Sequence, residues 1–381
     1  MIKKYLFIGL ILLTVILIYL FYPFAKERKS IILGSSLPLS GVNKELGQEV
    51  LEGAASYFMH INQNKGIKGK SIELIYYDDK YEPQNTLRNT KKLINKDEVF
   101  ALFGFVGTPT TKEILPIIDD IPFIAPYTGA SFLRDPNKKN IVNFRSSYDE
   151  EIENIINYLH NNKDIRKFSI LYQNDDYGIA GYNAIIKALK QRGLTLAGEG
   201  TYKRNTLSIK HAMHEIKDSN PEAIIIVGAY KPSARFIRDW RNNYSKKTLF
   251  APISFVNANA LVDELDGDGD NIYFSLTVPS YGDTNLDIAN EYRVILSRYY
   301  PTSKPSYVSF ESFLAAKAVV RALQNIKGDI NRKKFLFELK NLNHDALGKI
   351  PIKYQNAQLL NKVYIAVFRH GEFHFIDQDK R

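Results

Sequence analysis

Cysteine is absent from the 381 residues of the sequence. Its absence excludes disulfide bonds, thiolate-ligated metals, a cysteine nucleophile and a lipid-bearing cysteine.

A block of like charge is also missing, although the formal net charge is +10. Residues 1–30 hold five basic residues and one acidic residue, and the remaining 46 basic and 40 acidic residues are mixed along the chain. Because nucleic-acid binding needs a clustered basic stripe, we expect no nucleic-acid partner.

Catalytic and phosphate-binding motifs are missing as well. The sequence contains no G-x-S-x-G, no H-E-x-x-H and no P-loop. The acidic run Asp266–Asp270 places carboxylates at the first, third and fifth positions of a calcium loop, but the sixth position is not glycine and the twelfth is not glutamate. The pairs His211 with His214 and His370 with His374 have no third ligand nearby. We therefore expect no metal, no cofactor and no enzymatic activity.

The longest hydrophobic run lies at the start of the chain. Residues Tyr5–Ala25 carry no charge and follow two lysines. At about 1.5 Å per residue, such a helix spans roughly 30 Å, the thickness of a bilayer core. Residues 1–30 are therefore a signal anchor or a signal peptide. Pro23 and Ala25 match a small-x-small cleavage site poorly, which favours an uncleaved anchor, and a cleaved peptide is the alternative. Either one predicts a periplasmic or extracytoplasmic location, with the anchor holding the protein in the cytoplasmic membrane.

After residue 30, short apolar runs alternate with longer amphipathic ones. The 45 % hydrophobic and 24 % charged residues are typical of globular proteins, and the length allows two domains. Alternating strands and helices predict an α/β fold with parallel sheets, and the number of strands favours two lobes over one. The predicted strands are Ile31–Leu37, Ile72–Tyr77, Val99–Phe103, Phe123–Ala125, Phe168–Tyr172, Leu194–Tyr202, Ala223–Val227, Thr248–Ile253, Ile352–Tyr354, Val363–Phe368 and Phe373–Ile376. The predicted helices include Gly47–Asn64, Pro83–Asn95, Tyr177–Arg192, Ser208–Lys217 and Ser233–Asn243.

Six motifs stand in a fixed order between residues 31 and 370: INQNKGIKGKSIELIYYDDKYEPQNTLRNTKKLINKDEVFALFG, FVGTPTT, LPIIDDIPFIAPYTGASFLRD, YQNDDYGIAGYNAI, VGAYKPSARFIRDW and ESFLAAKAVVRAL. In this order and spacing they resemble the type I periplasmic solute-binding proteins, the leucine/isoleucine/valine-binding proteins and their relatives, and above all a subgroup with FVGTPT and PFTGA-like motifs. The resemblance implies two Rossmann-like lobes that close on a ligand like a Venus flytrap. It implies lobe 1 at residues 31–146 and 282–343, lobe 2 at 147–281 and 344–381, and crossings near Arg145–Tyr148, Val278–Asp283 and Leu342–Leu347.

The loop at residues 104–111 follows a predicted strand and is expected at the ligand cleft. Two helix caps are compatible with it: Thr108 as the N-cap before Pro109, or a capping box of Thr110 with Glu113. Both direct hydroxyls and backbone N–H groups toward the cleft, which suits a carboxylate. The resemblance gives Thr108 the place of a serine that holds the ligand carboxylate in amino-acid binders.

The loop at residues 126–130 is expected beside the first one. The resemblance implies that it binds the ligand through backbone and a hydroxyl, which selects Tyr127 and Thr128. In the other lobe, Tyr177 and Tyr230 match positions where family members carry cleft tyrosines. A tyrosine offers a flat apolar face and one hydroxyl, which suits closure over a small solute.

Three positions depart from the pattern of the branched-chain amino-acid binders. Leu46 stands where they have a tyrosine, and Gly129 stands where they have a threonine. Their ammonium-binding glutamate falls near Ile253–Ser254, so Ser254 is predicted at the site and no acid is expected there. Because a buried, unpaired ammonium would cost several kcal/mol, we expect a carboxylate or a neutral amide-like solute to bind at least as well as leucine.

The function predicted from these features is extracytoplasmic capture of a small polar solute, an amino acid or a related carboxylate or amide, for an ABC importer. An ABC permease is then the protein partner. The alternative is a membrane-tethered ligand-sensing module that reports to a partner kinase or chemoreceptor.

Overall fold

The computed structural model describes residues 30–376, which form two α/β lobes, each with one central sheet. The first sheet contains β1 (Ser30–Leu37), β2 (Ser71–Asp78), β3 (Ala101–Phe103), β4 (Phe123–Ile124) and β5 (Ile141–Val142). All of its strand pairs are parallel, and their order is β2-β1-β3-β4-β5. In open α/β sheets of this kind, ligands bind beyond the carboxyl ends of the strands.

The second sheet contains seven strands: β6 (Phe168–Gln173), β7 (Gly198–Tyr202), β8 (Ala223–Val227), β9 (Leu249–Pro252), β10 (Ile272–Leu276), β11 (Tyr364–Arg369) and β12 (Glu372–Phe375). Their order is β12-β11-β10-β9-β8-β6-β7. The pairs from β10 to β7 are parallel, whereas β11 and β12 are antiparallel. Every residue of β6, β8 and β10 is buried, because helices cover both faces of the sheet.

Eleven helices are described among residues 30–376. They are α1 (Lys44–Gln63), α2 (Pro83–Asn95), α3 (Thr108–Ile114), α4 (Tyr148–Lys163), α5 (Asp176–Lys190), α6 (Lys210–Lys217), α7 (Tyr230–Asn243), α8 (Ala258–Leu265), α9 (Asp287–Tyr299), α10 (Tyr307–Asn325) and α11 (Arg332–Lys340). Short 3₁₀ turns occur at Leu115–Ile117, Ser131–Arg134 and Ser254–Val256. After β10 the chain returns to the first lobe, where α10 packs along α1.

The structure contains strands that the sequence analysis did not predict, and it lacks one that was predicted. β5 and β10 were not predicted, although both are buried. The predicted strand Ile352–Tyr354 is wrong, because this segment is irregular and its Lys353 N–H donates to the Leu359 carbonyl at 3.0 Å. The final hairpin is confirmed as predicted. Its turn residues His370 and Gly371 both have positive φ, as a two-residue hairpin turn requires.

The segment that precedes β11 runs beside the end of β5. Asn143 pairs with Gln358 in a parallel bridge, and its N–H donates to the Ala357 carbonyl at 2.9 Å. The residue bounds of the lobes and of their three crossings stay a prediction.

The uncharged run Tyr5–Ala25, predicted to be an anchor or a signal peptide, lies outside the described residues. Among residues 30–376, no helix is both long enough and apolar enough to cross a membrane.

Candidate functional site

The loops after β3 and β4 lie side by side. Val106 and Tyr127 form a parallel bridge, and the Tyr127 N–H donates to the Phe105 carbonyl at 2.7 Å. Thr108 and Thr128 face each other across the two loops with their hydroxyl oxygens 2.7 Å apart. Both threonines are fully buried. The structure therefore brings together three of the predicted site residues of the first lobe.

Neither of the two predicted caps occurs at the start of α3. Gly107 is the N-cap residue, Thr108 is the first helical residue, and no side chain caps the helix. The Thr110 hydroxyl donates to the loop backbone, shared between the carbonyls of Val106 and Gly107, and it caps no helical N–H. The Glu113 carboxylate accepts from the Gln84 side chain at 2.7 Å instead of closing a capping box. Both capping predictions are wrong because Gly107 occupies the cap position with a φ of 107°, which side chains rarely allow.

Two tyrosines that the sequence analysis did not select cover these loops. A Cβ on Gly107 would lie 2.3 Å from Tyr81 Cε2, and a Cβ on Gly129 would lie 2.5 Å from Tyr148 Cδ1. The absence of side chains at both glycines leaves room for the two rings. The Tyr148 ring thus fills the space beside residue 129, where the related amino-acid binders are expected to carry a threonine. Gly129 was a visible signal in the sequence, but the partner that explains it lies on another element.

The hydroxyls of Tyr81 and Tyr148 are buried and make no hydrogen bond of good geometry, although Gln173 lies near the first hydroxyl and Thr108 and Thr128 lie near the second. Burial raises the pKa of both tyrosines. The Thr108 and Thr128 hydroxyls lie close enough to Tyr148 to oppose that rise in its pKa. A buried hydroxyl that makes no hydrogen bond costs about 1–3 kcal/mol. A polar group that entered between these side chains would recover that free energy.

Phe255 brings the second lobe against these tyrosines. Its ring centroid lies 4.5 Å from that of Tyr177, 6.0 Å from that of Tyr127 and 6.2 Å from that of Tyr81. The rings of Tyr148 and Tyr177 are 5.4 Å apart. We call these five residues the aromatic cluster, and each has at most 4 % of its surface exposed. The structure thus brings Tyr177 together with the first-lobe loops, and Phe255 is a further residue of this cluster that the sequence analysis did not select.

Polar contacts join the two lobes at the edge of the aromatic cluster. Arg204, just after β7, contacts Asp175 at 3.1 Å and Glu82 of the first lobe at 3.0 Å. The neighbouring Asn205 donates to the same Glu82 carboxylate at 2.8 Å. Asp175 also accepts from the Tyr177 N–H at 3.0 Å. These contacts hold the lobes together on this side of the cleft.

Tyr230 lies apart from the aromatic cluster. It is the first residue of α7, and its hydroxyl donates to the Glu45 carboxylate on α1. Burial, together with this bond, raises the pKa of Tyr230. Both residues line an open pocket of about 700 Å³ between α1 and α8, which we call the acidic pocket. Its five carboxylates are those of Glu45, Glu49, Glu52, Asp263 and Glu264.

Glu49 has the most perturbed carboxyl group of the acidic pocket. Burial raises its pKa to about 7, against the opposing effect of the nearby Ser306 and Asn257 side chains. The Ser306 hydroxyl donates to Glu49 at 2.6 Å. The neighbouring carboxylates of Glu52 and Glu45 add to the rise.

The expectation that no acid lies near Ile253–Ser254 is wrong. The Glu151 carboxylate, from the first turn of α4, accepts the Ser254 N–H at 2.8 Å and the Ser254 hydroxyl at 2.9 Å. The Ser275 hydroxyl of β10 donates to it at 3.0 Å. Burial raises the pKa of Glu151, although Arg145 opposes the rise. Sequence reasoning missed this carboxylate because it lies 103 positions before Ser254 and on a different element.

Arg145 and Glu311 form a buried ion pair beside the cluster. The Arg145 Nε and Nη2 each donate to one Glu311 oxygen at 2.9 Å, and Thr277 donates to the same carboxylate at 2.6 Å. The Arg145 guanidinium carbon lies 3.9 Å from the centre of the Tyr127 ring. Its remaining nitrogen, Nη1, is buried and has no hydrogen-bond partner.

Asp270, in the acidic run considered as a calcium loop, makes other contacts. Asp270 accepts the His370 N–H at 2.9 Å, and the Asp270 carbonyl accepts from Arg241 at 2.6 Å. Within residues 30–376, no three His, Asp or Glu side chains are grouped so that they could hold a metal ion.

Comparisons with known proteins extend over most of the chain. A model of the periplasmic binding protein family matches residues 30–372. An amino acid binding protein from Pseudomonas aeruginosa is 21 % identical over 213 residues, which are 55 % of this chain and 57 % of that protein. A Leu/Ile/Val-binding protein homolog from Brucella abortus is 19 % identical over 325 residues, which are 80 % of this chain and 79 % of that protein. A crystal structure described as a possible leucine/isoleucine/valine-binding protein from Rhodopirellula baltica is 30 % identical, with 92 % of this chain and 97 % of that chain covered and a TM-score of 0.86.

Proposed function

The chain belongs to the periplasmic binding protein family, and we propose that it captures a small polar solute between its lobes for delivery to an ABC importer. The solute class that we propose is an amino acid or a related carboxylate or amide. Membership confirms the resemblance described above, and it confirms that the chain is a binding protein and not an enzyme. It also implies a location outside the cytoplasm.

One observation carries the proposal: buried polar groups without partners gather beside the aromatic cluster. They are the hydroxyls of Tyr81 and Tyr148 and the Nη1 of Arg145. Since roughly 90 % or more of buried polar groups in folded proteins are hydrogen-bonded, such a concentration needs an explanation. A polar solute that supplies the missing partners explains all three groups at once.

The surrounding side chains suit a solute with a polar head and an apolar body. The Thr108 and Thr128 hydroxyls lie beside Tyr148 and offer further hydrogen bonds. The ring faces of Tyr127, Tyr177 and Phe255 offer apolar surface. We place Ser254 beside the solute as well.

The remaining two predicted residues, Tyr230 and Thr110, have different proposed roles. Tyr230, on the acidic pocket, is proposed at the entrance of the cleft. Thr110, whose hydroxyl is bound to the loop backbone, is proposed to shape the loop that carries Thr108.

Closure of the two lobes over the solute is part of the proposed mechanism. A solute that contacts both lobes only in the closed form shifts the population toward that form. The contacts of Arg204 and Asn205 with Glu82 join the two lobes, as closure requires. We expect them to break when the lobes separate.

A thermal-shift screen of the full chain in detergent tests the binding function. Amino acids, small carboxylates, amides and aromatic acids would be compared, since a ligand at 100 times its Kd stabilises a protein by about 2.7 kcal/mol. Closure would be measured as a distance between spin labels on Arg88→Cys and His214→Cys, both exposed and in a chain without native cysteine. A solute that binds without shortening this distance would contradict closure, and a screen without any hit would contradict the binding function.

The sensing alternative draws on the uncharged run Tyr5–Ala25, since a permanent anchor suits a receptor better than a diffusing carrier. N-terminal sequencing of the protein from its native membrane shows whether this run is retained. Solute uptake in cells that lack the protein then separates the two functions. Import predicts that uptake is lost, whereas sensing predicts normal uptake and a lost response.

A further inference from the structure

We propose that Phe255 limits the size of the apolar body that a bound solute can carry. This role rests on the proposed function and makes Phe255 the residue that decides which side chains of a solute the site accepts. A solute with a large ring would compete with Phe255 for the same space, and a smaller side chain at this position would admit it.

Phe255 lies where the apolar surfaces of the two lobes meet. Its ring is 1 % exposed and lies against Tyr177 of the second lobe and against Tyr127 and Tyr81 of the first, at centroid distances of 4.5, 6.0 and 6.2 Å. Rings at these separations are in packing contact, so no further ring fits between them. Phe255 therefore occupies the volume that a larger solute would need.

The polar groups of the site are connected to this ring through two tyrosines. The Tyr148 hydroxyl lies near Thr108 and Thr128, where the polar head of a solute would find hydrogen bonds. The Tyr148 ring lies 5.4 Å from that of Tyr177, which in turn contacts Phe255. A solute whose head is held by the threonines would extend its apolar body toward Phe255.

The backbone of Phe255 is held on both sides. The Ser254 N–H and hydroxyl donate to the Glu151 carboxylate at 2.8 and 2.9 Å. On the other side, the Asn257 side chain accepts the Ala260 N–H at 3.2 Å and caps α8. Because a bulky solute cannot displace this backbone without breaking these hydrogen bonds, the size of the side chain at position 255 sets the space that is left.

The other members of the aromatic cluster are less suited to this role. They are four tyrosines, and each brings a buried hydroxyl to the site. The Tyr127 ring also lies 3.9 Å from the guanidinium carbon of Arg145. A change at any tyrosine would alter polar contacts together with volume. Phe255 has no polar side-chain atom, so its substitution changes volume and apolar surface alone.

The expected effect follows from the behaviour of cavities in protein cores. An engineered apolar cavity of about 150 Å³ stays dry and binds benzene. Phe255→Ala leaves a space of the size of the removed ring, at the place where the body of the solute ends. A phenyl group on the solute would fill that space. In such pockets one methylene group already discriminates by roughly 10- to 200-fold.

The test uses two pairs of solutes whose members differ only in a phenyl ring: alanine with phenylalanine, and propanoate with 3-phenylpropanoate. Titration calorimetry of the full chain in detergent compares wild type, Phe255→Ala and the control Phe58→Ala. Phe58 is also buried, but its ring packs on Phe103 in the core of the first lobe, with the centroids 5.7 Å apart. Phe255→Leu is a milder variant that also lacks the ring, and it replaces the alanine variant if that protein does not fold.

We expect Phe255→Ala to bind the phenyl-bearing member of at least one pair at least about 30-fold more tightly than wild type does, and Phe255→Leu about 5-fold more tightly. The affinity for the small members should change by less than about 3-fold, and Phe58→Ala should bind all four solutes as wild type does.

Two results would overturn the inference: a wild type that binds a phenyl-bearing member as tightly as its small partner, or an equal gain in Phe58→Ala. If wild type binds solutes of the thermal-shift screen but neither variant at position 255 gains affinity for a phenyl-bearing member, the inference falls and the binding function stands. If neither wild type nor any variant binds a solute, both fall.

Discussion

The aromatic cluster and the acidic pocket both lie between the lobes, yet their polar groups differ in burial and in hydrogen-bond partners. In the aromatic cluster the side chains are at most 4 % exposed, and two tyrosine hydroxyls have no partner. In the acidic pocket five carboxylates share an open cavity of about 700 Å³, and the hydroxyl of Tyr230 is bound to Glu45. Water can reach most polar groups of the second region, Glu49 being the most buried of its carboxylates, but it cannot reach those of the first.

Under the proposed function, this difference assigns discrimination between solutes to the aromatic cluster. A polar group is costly only where water cannot reach it, so a wrong solute is penalised in the aromatic cluster and tolerated in the acidic pocket. The same difference applies to ion pairs, because the Arg145–Glu311 pair is buried and the Lys304–Asp263 pair is exposed. Variants in the two regions should therefore behave differently.

The largest effect is expected from Arg145→Met. It leaves Glu311 buried without its cation, which should lower the free energy of unfolding by about 3–5 kcal/mol in urea denaturation. Lys304→Met is the matched variant in the acidic pocket, where the two charges are 3.7 Å apart and mostly exposed, and it should change stability by less than about 0.5 kcal/mol. The double variant Arg145→Met with Glu311→Leu should regain much of the loss. Similar losses for both single variants would remove the distinction between the regions.

The next effect is expected from Gly129→Ala. Its Cβ would lie 2.5 Å from Tyr148 Cδ1 and 2.7 Å from the Tyr148 backbone nitrogen, so the loop or the helix must shift. We expect a loss of about 1–3 kcal/mol in the free energy of unfolding. Gly282→Ala is the control, since its Cβ would approach Ser280 Oγ only to 3.5 Å. A Gly129→Ala protein as stable as the control would show that the Tyr148 ring does not need the glycine.

Removal of two tyrosine hydroxyls should affect stability and affinity in opposite ways. Tyr148→Phe removes an unpartnered hydroxyl, so the stability of the free protein should stay the same or rise, while affinity for the bound solute falls about 5- to 10-fold. Tyr230→Phe removes a hydroxyl bound to Glu45, so stability should fall by about 1 kcal/mol with little change in affinity. Urea denaturation and calorimetry measure the two quantities. Lower stability of the free Tyr148→Phe protein would show that its hydroxyl has a partner in solution.

The smallest effect is a pH dependence that involves Glu49. Its pKa in the folded protein is about 7, above the ordinary 4.5, so the folded state holds this proton more tightly than the unfolded state. Wild type should therefore lose stability as the pH rises from about 4.5 to 7, and Glu49→Gln should lack that contribution. Because the side chain is partly exposed, we expect a difference on the order of 1 kcal/mol, measured by denaturation at pH 5 and pH 8. If the difference in unfolding free energy between Glu49→Gln and wild type were the same at both pH values, the raised pKa would be contradicted.

Most of the fold could be predicted from local patterns in the sequence. Strands such as Ala223–Val227 coincide with their predicted bounds, because a short apolar run between helical segments has few other interpretations. The short strand Ile141–Val142 escaped prediction, since two residues carry no periodicity. The segment Ile352–Tyr354 has the composition of a strand, but its backbone bonds to a neighbouring loop instead of to a sheet.

The candidate site could be predicted only in part. Thr108, Tyr127 and Thr128 come together because loops at the carboxyl ends of neighbouring strands meet at one edge of a sheet. Tyr177 follows a strand of the other sheet and meets them where the two lobes face each other. Tyr230 belongs to the same set in the sequence but lies on the acidic pocket in the structure.

The sequence by itself determined the α/β fold, the order of most of its elements and the family, because these depend on residue periodicity and on motifs of neighbouring residues. Only the tertiary structure decided the polarity and charge of the cleft. Glu151 reaches Ser254 over 103 positions of sequence, and the Tyr148 ring lies on Gly129. The physical reason is that burial and charge compensation depend on which side chains share a volume. That volume is enclosed only when the two lobes pack against each other.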